Sequence, residues 1–211
     1  YERASQIGLY LKANKPKSKV ILLDANADVV AKKPLFMKAW STYYKGIFEY
    51  IPGKKVTAVD VANRTLLVEG IEEFKGDVVN FIPPQRAAAI AAKAGLVGED
   101  KKWCPVNVTT FESTLQKNIH VIGDSAIAGA MPKSGYSANS QAKVCAINLV
   151  ALMNGKELTE LSGINVCYSA ISDHESISVA GVYAVKEGKI IGVPNSGGIS
   201  PVDFSMTKAE H

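Results

Sequence analysis

The chain has 211 residues, 47% of them hydrophobic and 21% charged, and its formal net charge is +4. This balance is that of a globular protein with a buried core, so it excludes disorder of the whole chain. The lysines are scattered singly or in pairs, which is typical of solvated surfaces, so no nucleic-acid partner is predicted. No apolar run reaches the roughly 18 to 20 residues of a membrane span, so none is predicted.

The first half of the chain predicts half of a βαβ unit followed by an antiparallel hairpin. Apolar residues three and four apart predict helices, the continuous apolar run at 19–24 predicts a strand buried on both faces, and alternation predicts the hairpin. Asn63-Arg64 is the predicted hairpin turn. In chain order, the predicted elements are a helix over 2–14, a strand over 19–24, a helix over 34–44, the hairpin over 55–74, a strand over 77–82 and a short helix over 87–94.

The second half places a Gly-Asp pair between a predicted strand and a predicted helix. The strand covers 118–124 and ends in Gly123 and Asp124, at the carboxyl end where open α/β sheets bind their ligands. A loop leads to a helix over about 137–153, and three strands at 166–171, 177–185 and 190–193 follow, with Glu187-Gly188 as a hairpin turn. The apolar face predicted for the helix consists of Ala138, Ala142, Cys145, Leu149 and Leu152.

Asp124 is the strongest candidate for nucleotide binding. A carboxylate preceded by glycine at a strand end can accept hydrogen bonds from ribityl or ribose hydroxyls, and the helix start near Ser137 suits a pyrophosphate or the carbonyl edge of a flavin. The alternative, that Asp124 only caps a turn, stays open. Neither G-x-G-x-x-G nor G-x-x-x-x-G-K-[ST] occurs, so the usual phosphate-binding turn is absent, and Ser196-Gly197-Gly198 is interpreted as a plain loop.

The three cysteines, Cys104, Cys145 and Cys167, have no zinc-ligand spacing, so no metal site is predicted. They cannot all pair with one another, which leaves open one thiol whose partner lies outside the chain. The pattern favours a structural role for Cys145 and for Cys167, with a reactive thiol as the alternative at Cys167, and it gives no role for Cys104. His120 lies in an apolar segment and is interpreted as a core histidine rather than a ligand.

Several segments of the chain together resemble the flavoprotein subunit of flavocytochrome c sulfide dehydrogenase. The run Met-Pro-Lys-Ser-Gly-Tyr-Ser-Ala-Asn-Ser-Gln at 131–141 is the most specific of them. The others lie at 1–6, 81–86, 103–105, 120–124, 165–169 and 196–203, so the likeness spans almost the whole chain.

The resemblance implies an α/β fold: an incomplete two-lobe Rossmann-like architecture of the glutathione-reductase type, which binds FAD and NAD(P), with an α+β C-terminal domain. Residues 1–79 would belong to the second, NADH-like lobe, and residues 80–160 to the C-terminal part of the FAD-binding lobe. Residues 161–211 would form the C-terminal domain of this family. FAD is the implied cofactor, held covalently through an N-terminal cysteine.

The resemblance also implies an activity and its residues. In this family sulfide is oxidised at a redox disulfide beside the FAD, and electrons pass to a cytochrome c subunit in the periplasm. Cys167 matches one half of the disulfide, and Glu2 matches an acidic residue that can accept a proton, although an exposed carboxylate favoured by the helix dipole is an equal alternative. The flavin-contacting positions are Gly123, Asp124, Pro132, Lys133, Ser134, Gly135 and Tyr136.

The same resemblance implies that the other half-cystine, the flavin-linking cysteine and the first nucleotide-binding turn precede Tyr1. We therefore expect this chain alone to bind FAD weakly or not at all, to be inactive, and to self-associate through exposed sheet edges. Its end at 204–211 departs from the aromatic-rich tail that the family predicts. Two alternatives stay open: a related flavin-dependent disulfide or quinone oxidoreductase, and a non-catalytic flavoprotein-like module that binds a cytochrome.

Overall fold

The computed structural model describes residues 1–70 and 72–211, which separate into two units. Unit 1 consists of Tyr1–Pro83, Tyr168–Ser178 and Ile199–His211, and unit 2 consists of Pro84–Cys167 and Val179–Gly198. The three-part division into two lobes and a C-terminal domain stays a prediction.

Unit 1 contains a pair of parallel strands connected through a helix. Helix α1 (Glu2–Asn14) precedes strand β1 (Val20–Leu23), and helix α2 (Lys33–Tyr43) connects β1 to β2 (Phe48–Ile51), which pairs with β1 in parallel. Pro34 lies in the first turn of α2, where its missing N–H removes no helical hydrogen bond. These elements confirm the helix, strand and helix predicted for this segment. The prediction that the strand is buried on both faces is wrong, since Ile21 is 48% exposed and β1 has a strand neighbour, β2, on one side among the described residues.

A three-stranded antiparallel sheet follows in unit 1, in the order β3 (Val56–Asp60), β4 (Thr65–Val68), β5 (Glu72–Lys75). The turn between β3 and β4 falls at Asn63-Arg64 as predicted, with the Asn63 N–H bonded to the Asp60 carboxylate and Arg64 at φ +54°. Ile71, inside the predicted hairpin segment, lies outside the described residues.

The strand predicted at 77–82 is wrong. This segment has no regular secondary structure, and Val78 is 88% exposed. An apolar segment forms a strand only when a neighbouring strand satisfies its backbone hydrogen bonds. No strand in the described part of the chain pairs with residues 77–82. Apolar composition alone could not reveal the missing neighbour.

The core of unit 1 lies on the inner face of α2. Trp40 stacks on Phe48 with ring centroids 4.4 Å apart, and its indole N–H donates to Ser5 Oγ at 2.9 Å. Tyr44 is buried and donates its hydroxyl to the Ile171 carbonyl at 2.6 Å. Trp40 of α2 and Tyr44 directly after it therefore hold α1, β2 and the segment after residue 168 within one unit.

The helical part of unit 2 has two short elements and one long helix. Helix α3 (Ala89–Lys93) ends at Gly95, which has φ +69°, and a 3-10 turn covers Gly123–Ser125. Helix α4 (Gly135–Met153) follows. The helices predicted at 87–94 and 137–153 are thus confirmed, with ends shifted by one or two residues.

The strand predicted at 118–124 is wrong. The segment makes one antiparallel bridge, between His120 and Glu112, and then enters the 3-10 turn. A parallel strand buried on both faces needs strands on both sides, and among the described residues no strand pairs with this segment. His120 bonds through Nδ1 to the Thr110 carbonyl at 2.9 Å, but it is half-buried, so its interpretation as a core histidine is wrong in that respect.

The face of α4 was also predicted one residue out of register. The buried positions are Ser137, Gln141, Val144, Asn148 and Ala151. Three of these are polar and are satisfied inside the unit; the Asn148 amide, for example, donates to the carbonyls of Thr109 and Thr159. The hydrophobic pattern predicted the neighbouring apolar positions as the buried face. It assigns every polar residue to the surface, including those that are buried and hydrogen-bonded.

The C-terminal strands form one sheet. Strands β6 (Ser162–Ala170), β7 (Ser176–Lys186) and β8 (Lys189–Gly192) are neighbours in that order, and β9 (Gly198–Ile199) pairs with β7. Lys186 pairs with Lys189 across the predicted turn, whose residues Glu187 and Gly188 both have positive φ. Two such residues form the type I′ turn that suits a tight hairpin, so this prediction is confirmed.

Candidate functional site

The Gly123-Asp124 turn lies against the start of α4 within unit 2. Gly123 has φ +69°, and a Cβ there would lie 3.2 Å from the Ala138 Cβ, so glycine permits both the backbone conformation and the close approach. The Gly123 N–H donates to Gln141 Oε1 at 2.7 Å. The turn is therefore fixed to α4 by the protein itself, and the Asp124 carboxylate is left exposed.

Lys133 holds the same turn from its other side. Its ammonium donates to the Asp124 carbonyl and to the Ala126 carbonyl, the latter at 3.1 Å, and lies 3.8 Å from the centroid of the Trp103 ring. Burial lowers the pKa of Lys133, and the charge of Asp124 opposes that shift. The ammonium thus stabilises the backbone of the turn that carries Asp124. A contact of Lys133 with the flavin stays a prediction.

The segment around Cys104 also supports this turn. The Cys104 N–H donates to the Ser125 carbonyl and its own carbonyl accepts from Ile127 N–H, both at 2.9 Å. The side chain is fully buried, and burial raises the pKa of the Cys104 thiol. Cys104 therefore acts as a small core residue, which gives the Trp103-Cys104-Pro105 segment a structural role that its sequence did not reveal.

The start of α4 presents free helical N–H groups beside the turn. Ser134 is the N-cap, and its Oγ accepts from the Ser137 N–H at 3.1 Å. Gly135 and Tyr136, the first helical residues, are exposed, and Pro132 before them is half-buried. The first N–H groups of a helix have no partner inside it and form the positive end of its dipole, so this end of α4 can bind an electron-rich group.

The predicted redox cysteine is joined to this helix start by one buried side chain. Cys167 is half-buried in β6, and its Sγ donates to Asn165 Oδ1 at 3.5 Å. The same oxygen accepts from Ser134 Oγ at 2.5 Å and from Ser137 Oγ at 3.3 Å. The structure therefore brings Cys167 and Ser134 together through Asn165, which sequence reasoning noticed only as part of a motif.

Glu2 lies in the first turn of α1, in unit 1, and is exposed. Its Oε1 accepts a hydrogen bond of 3.0 Å from the Ala170 N–H. Its position in the first turn is the one that the helix dipole favours for a carboxylate. The role of Glu2 as a proton acceptor stays a prediction.

A second carboxylate at a strand end, Asp24, follows β1 in unit 1. It is buried and accepts hydrogen bonds from the Tyr1 hydroxyl at 2.7 Å, from the Tyr50 hydroxyl at 3.0 Å and from both nitrogens of Asn26. Burial raises the pKa of this carboxyl, but the hydrogen bonds outweigh it and hold the pKa below its usual range. Asp24 is thus a structural acceptor for two phenols.

Each unit also has an open cavity. That of unit 2, about 310 Å³, is lined by His120 and Ser125 beside the Gly-Asp turn and by apolar side chains of α3. That of unit 1, about 390 Å³, lies among α1, the end of α2 and the loop around Asp173. Of these two cavities, that of unit 2 adjoins the predicted flavin residues.

The residues of unit 2 fit a flavin nucleotide. The exposed Asp124 carboxylate can accept hydrogen bonds from hydroxyl groups, and the exposed start of α4 can donate to the carbonyl edge of a ring. A Cβ on Gly135 would meet no atom within 4 Å, so there is room beside the first helical N–H groups. No cluster of metal-ligating side chains and no helix able to cross a membrane occurs in residues 1–70 and 72–211.

Known structures share this fold at low sequence identity. The sulfide:quinone oxidoreductase of Aquifex aeolicus matches with a TM-score of 0.66 at 16% identity, over 92% of this chain and 50% of that one. A ferredoxin reductase of Rhodopseudomonas palustris matches with a TM-score of 0.60 at 17% identity, over 92% and 53%. The fold is therefore the Rossmann-like fold of FAD/NAD(P)-binding oxidoreductases, and the chain spans about half the length of these proteins.

Family models match both ends of the chain. Residues 1–83 match the central domain of the sulfide dehydrogenase (flavocytochrome c) flavoprotein chain, and residues 160–211 match the flavin-binding domain of flavocytochrome c sulphide dehydrogenase. The flavin-binding match and the fold together give FAD as the cofactor. Since both matched domains come from one protein, the chain belongs to the flavoprotein family of flavocytochrome c sulfide dehydrogenase.

Proposed function

We propose that the protein to which this chain belongs oxidises sulfide at a disulfide that includes Cys167 and passes the electrons to a cytochrome c. The family supports this proposal, since the matching models describe the flavoprotein chain of a flavocytochrome. The observation that carries it is the contact of the Cys167 sulfur with Asn165, whose oxygen also accepts from Ser134 at the start of α4. A redox sulfur near a flavin needs this kind of fixed position.

The proposed chemistry begins with attack of HS⁻ on a disulfide sulfur. The S–S bond breaks, a persulfide forms on one cysteine, and the other cysteine leaves as a thiolate. The partner of Cys167 in that disulfide is the half-cystine that the family resemblance implies before Tyr1. FAD, when bound, supplies the two-electron acceptor that this chemistry requires.

We propose that some residues of the flavin site contact the flavin directly and that others position those residues. We propose that Asp124 accepts hydrogen bonds from ribityl hydroxyls and that the N–H groups of Gly135 and Tyr136 donate to the ring edge. Gly123, Pro132, Lys133 and Ser134 shape the two segments that carry these groups. Glu2 is proposed as the proton acceptor for the incoming sulfide.

The electron acceptor and the cellular location are proposals that rest on the family alone. A cytochrome c subunit in the periplasm is the proposed partner, because the family is the flavoprotein chain of a flavocytochrome. A quinone acceptor is the second candidate, since a structure of the same fold is named as a sulfide:quinone oxidoreductase. Among the described residues no helix could cross a membrane, and that finding favours neither acceptor.

The test uses the whole protein with its flavin. We expect sulfide to bleach the flavin absorption, cytochrome c to restore it, and the Cys167→Ser variant to lose the bleaching while keeping the flavin. Restoration by a quinone but not by cytochrome c would establish the second candidate. If Cys167→Ser left bleaching by sulfide unchanged, the disulfide mechanism would fail, and stable cytochrome binding without turnover would favour a non-catalytic module.

A further inference from the structure

The pleat of β6 aligns Asn165 with Cys167. Along this strand Gly163 and Asn165 are buried while Ser162 and Ile164 are exposed, so alternate residues face inward. Asn165 and Cys167 are two positions apart and therefore lie on the same face, the one that contacts the start of α4. The spacing Asn-x-Cys within a strand is the sequence signal of this arrangement.

The strand is held against α4 independently of Asn165. Ser140 Oγ donates to the Ile164 carbonyl at 3.0 Å and accepts from the Ile164 N–H at 3.3 Å. These bonds involve the backbone of β6 and do not involve the carboxamide of Asn165. Removing the Asn165 side chain therefore leaves this connection between strand and helix in place, and Ser140 offers a matched control.

The carboxamide of Asn165 has more donors around it than one oxygen can satisfy. Its Oδ1 lies within hydrogen-bonding distance of Ser134 Oγ, Ser137 Oγ and Cys167 Sγ, and the residue is 1% exposed. An amide oxygen has two lone pairs, so it cannot accept fully from three donors. A turn of the amide about its last torsion exchanges Oδ1 for an NH₂ group at nearly the same place, and serine hydroxyls rotate to accept from it.

We infer that Asn165 is a positioning residue that supplies the Cys167 sulfur with a hydrogen-bond partner in both its thiol and its thiolate form. The oxygen accepts from the S–H group. After ionisation the turned amide donates one N–H to the sulfur and its other N–H to a serine hydroxyl, which keeps the amide anchored to α4. The redox role of Cys167 rests on the proposed function, whereas these contacts do not.

The Asn165→Asp variant separates this role from packing. Aspartate has the same shape and retains an acceptor for both serines and for a thiol, but when ionised it has no N–H to donate and adds a negative charge beside the sulfur. A hydrogen bond to a charged group stabilises it enough that its loss should lower the fraction of Cys167 present as thiolate. Because the remaining thiolate is more nucleophilic, the observed alkylation rate should fall by roughly three- to tenfold. Ser140→Ala removes the nearby backbone contact without touching Asn165 and should leave that rate within about twofold of wild type.

The experiment is alkylation of the 211-residue chain by iodoacetamide at pH 8, with labelling of Cys167 followed over time by peptide mass spectrometry. Cys145 in the same samples is an internal reference. A wild-type Cys167 rate in a folded Asn165→Asp variant would overturn the inference, as would an equal loss in Ser140→Ala. Alkylation uses neither sulfide, flavin nor electron acceptor. The inference can therefore stand if the proposed sulfide oxidation fails, and the proposed sulfide oxidation can stand if the inference fails.

A second measurement covers the case in which Asn165→Asp does not fold. In the ¹⁵N-labelled wild-type chain we expect the side-chain NH₂ signals of Asn165 to shift as Cys167 ionises and to lose that response once Cys167 is alkylated. Signals that stay constant through both changes would contradict the inference.

Discussion

The Gly123 backbone N–H donates to Gln141 Oε1 at 2.7 Å, and Gln141, two turns into α4, is only 2% exposed. Replacing Gln141 by Leu should leave this N–H without a partner and cost about 1 to 3 kcal/mol in the free energy of unfolding. Denaturant titration measures that loss, and hydrogen exchange at the Gly123 amide should accelerate.

Gln141→Glu is the matched control, since a carboxylate oxygen can still accept from the Gly123 N–H. We expect it to keep the protection of this amide much better than Gln141→Leu. Equal exchange rates at Gly123 in the two variants would show that the side chain does not fix the turn.

Lys133 supports the same turn through its ammonium, which contacts the Asp124 and Ala126 carbonyls and the Trp103 ring. Replacement by Met keeps most of the apolar stem but removes these interactions, so we expect a loss of about 1 to 2 kcal/mol. Lys133→Arg retains the charge and the donors and should lose less. Thermal unfolding of the two variants checks this, and a Met variant as stable as the Arg variant would contradict it.

Local signals in the sequence were sufficient to predict those elements whose backbone hydrogen bonds form within the element. Helices α1, α2 and α4 and the turns at Asn63-Arg64 and Glu187-Gly188 follow from periodicity and turn chemistry. The strands predicted at 77–82 and 118–124 fail because a strand depends on a neighbour that sequence patterns do not reveal.

The buried polar residues of the candidate site were also not predictable from sequence patterns, because their partners come together only in the folded protein. The pattern and the family resemblance together identified the Gly-Asp turn, the start of α4 and Cys167. They included Gln141 and Asn165 only as members of motifs and gave them no role. The burial of each is stable only because it finds its hydrogen-bond partners in the folded unit. Hydrophobic periodicity scores such residues as surface positions and so cannot find them.

Gly197 directly precedes β9, and its backbone passes close to β7. The segment Ser196-Gly197-Gly198 was predicted to be a plain loop, which is wrong for Gly198, the first residue of β9. A Cβ at Gly197 would lie 2.2 Å from the Ala180 carbonyl oxygen, whereas one at Gly198 would meet no atom within 4 Å. Gly197→Ala should therefore cost at least about 2 kcal/mol, since backbone must shift, while Gly198→Ala should change stability by less than about 1 kcal/mol. Denaturant titration of both variants checks this, and equal stabilities would show that the loop relaxes freely.

Asp24 makes the stability of unit 1 depend on pH, and its hydrogen bonds determine the sign of that dependence. Because burial is outweighed by hydrogen bonds from Tyr1, Asn26 and Tyr50, the pKa of this carboxyl is lower in the folded state than in the unfolded chain. The stability that it contributes is therefore fully present above the unfolded value of about 3.9 and is lost as the pH falls through the folded value.

Asp24→Asn tests this dependence by removing the charge while keeping the shape of the side chain. At pH 7 we expect it to lower the free energy of unfolding by about 1 to 3 kcal/mol, because two phenols lose a charged acceptor. As the pH falls below about 4 the difference from wild type should shrink, since the wild-type carboxyl becomes protonated as well. Glu49→Gln, at an exposed position on β2, is the control and should change little at either pH. Urea titrations at pH 7 and pH 3 measure both variants, and a difference for Asp24→Asn that stayed constant between them would contradict the role given to this carboxylate.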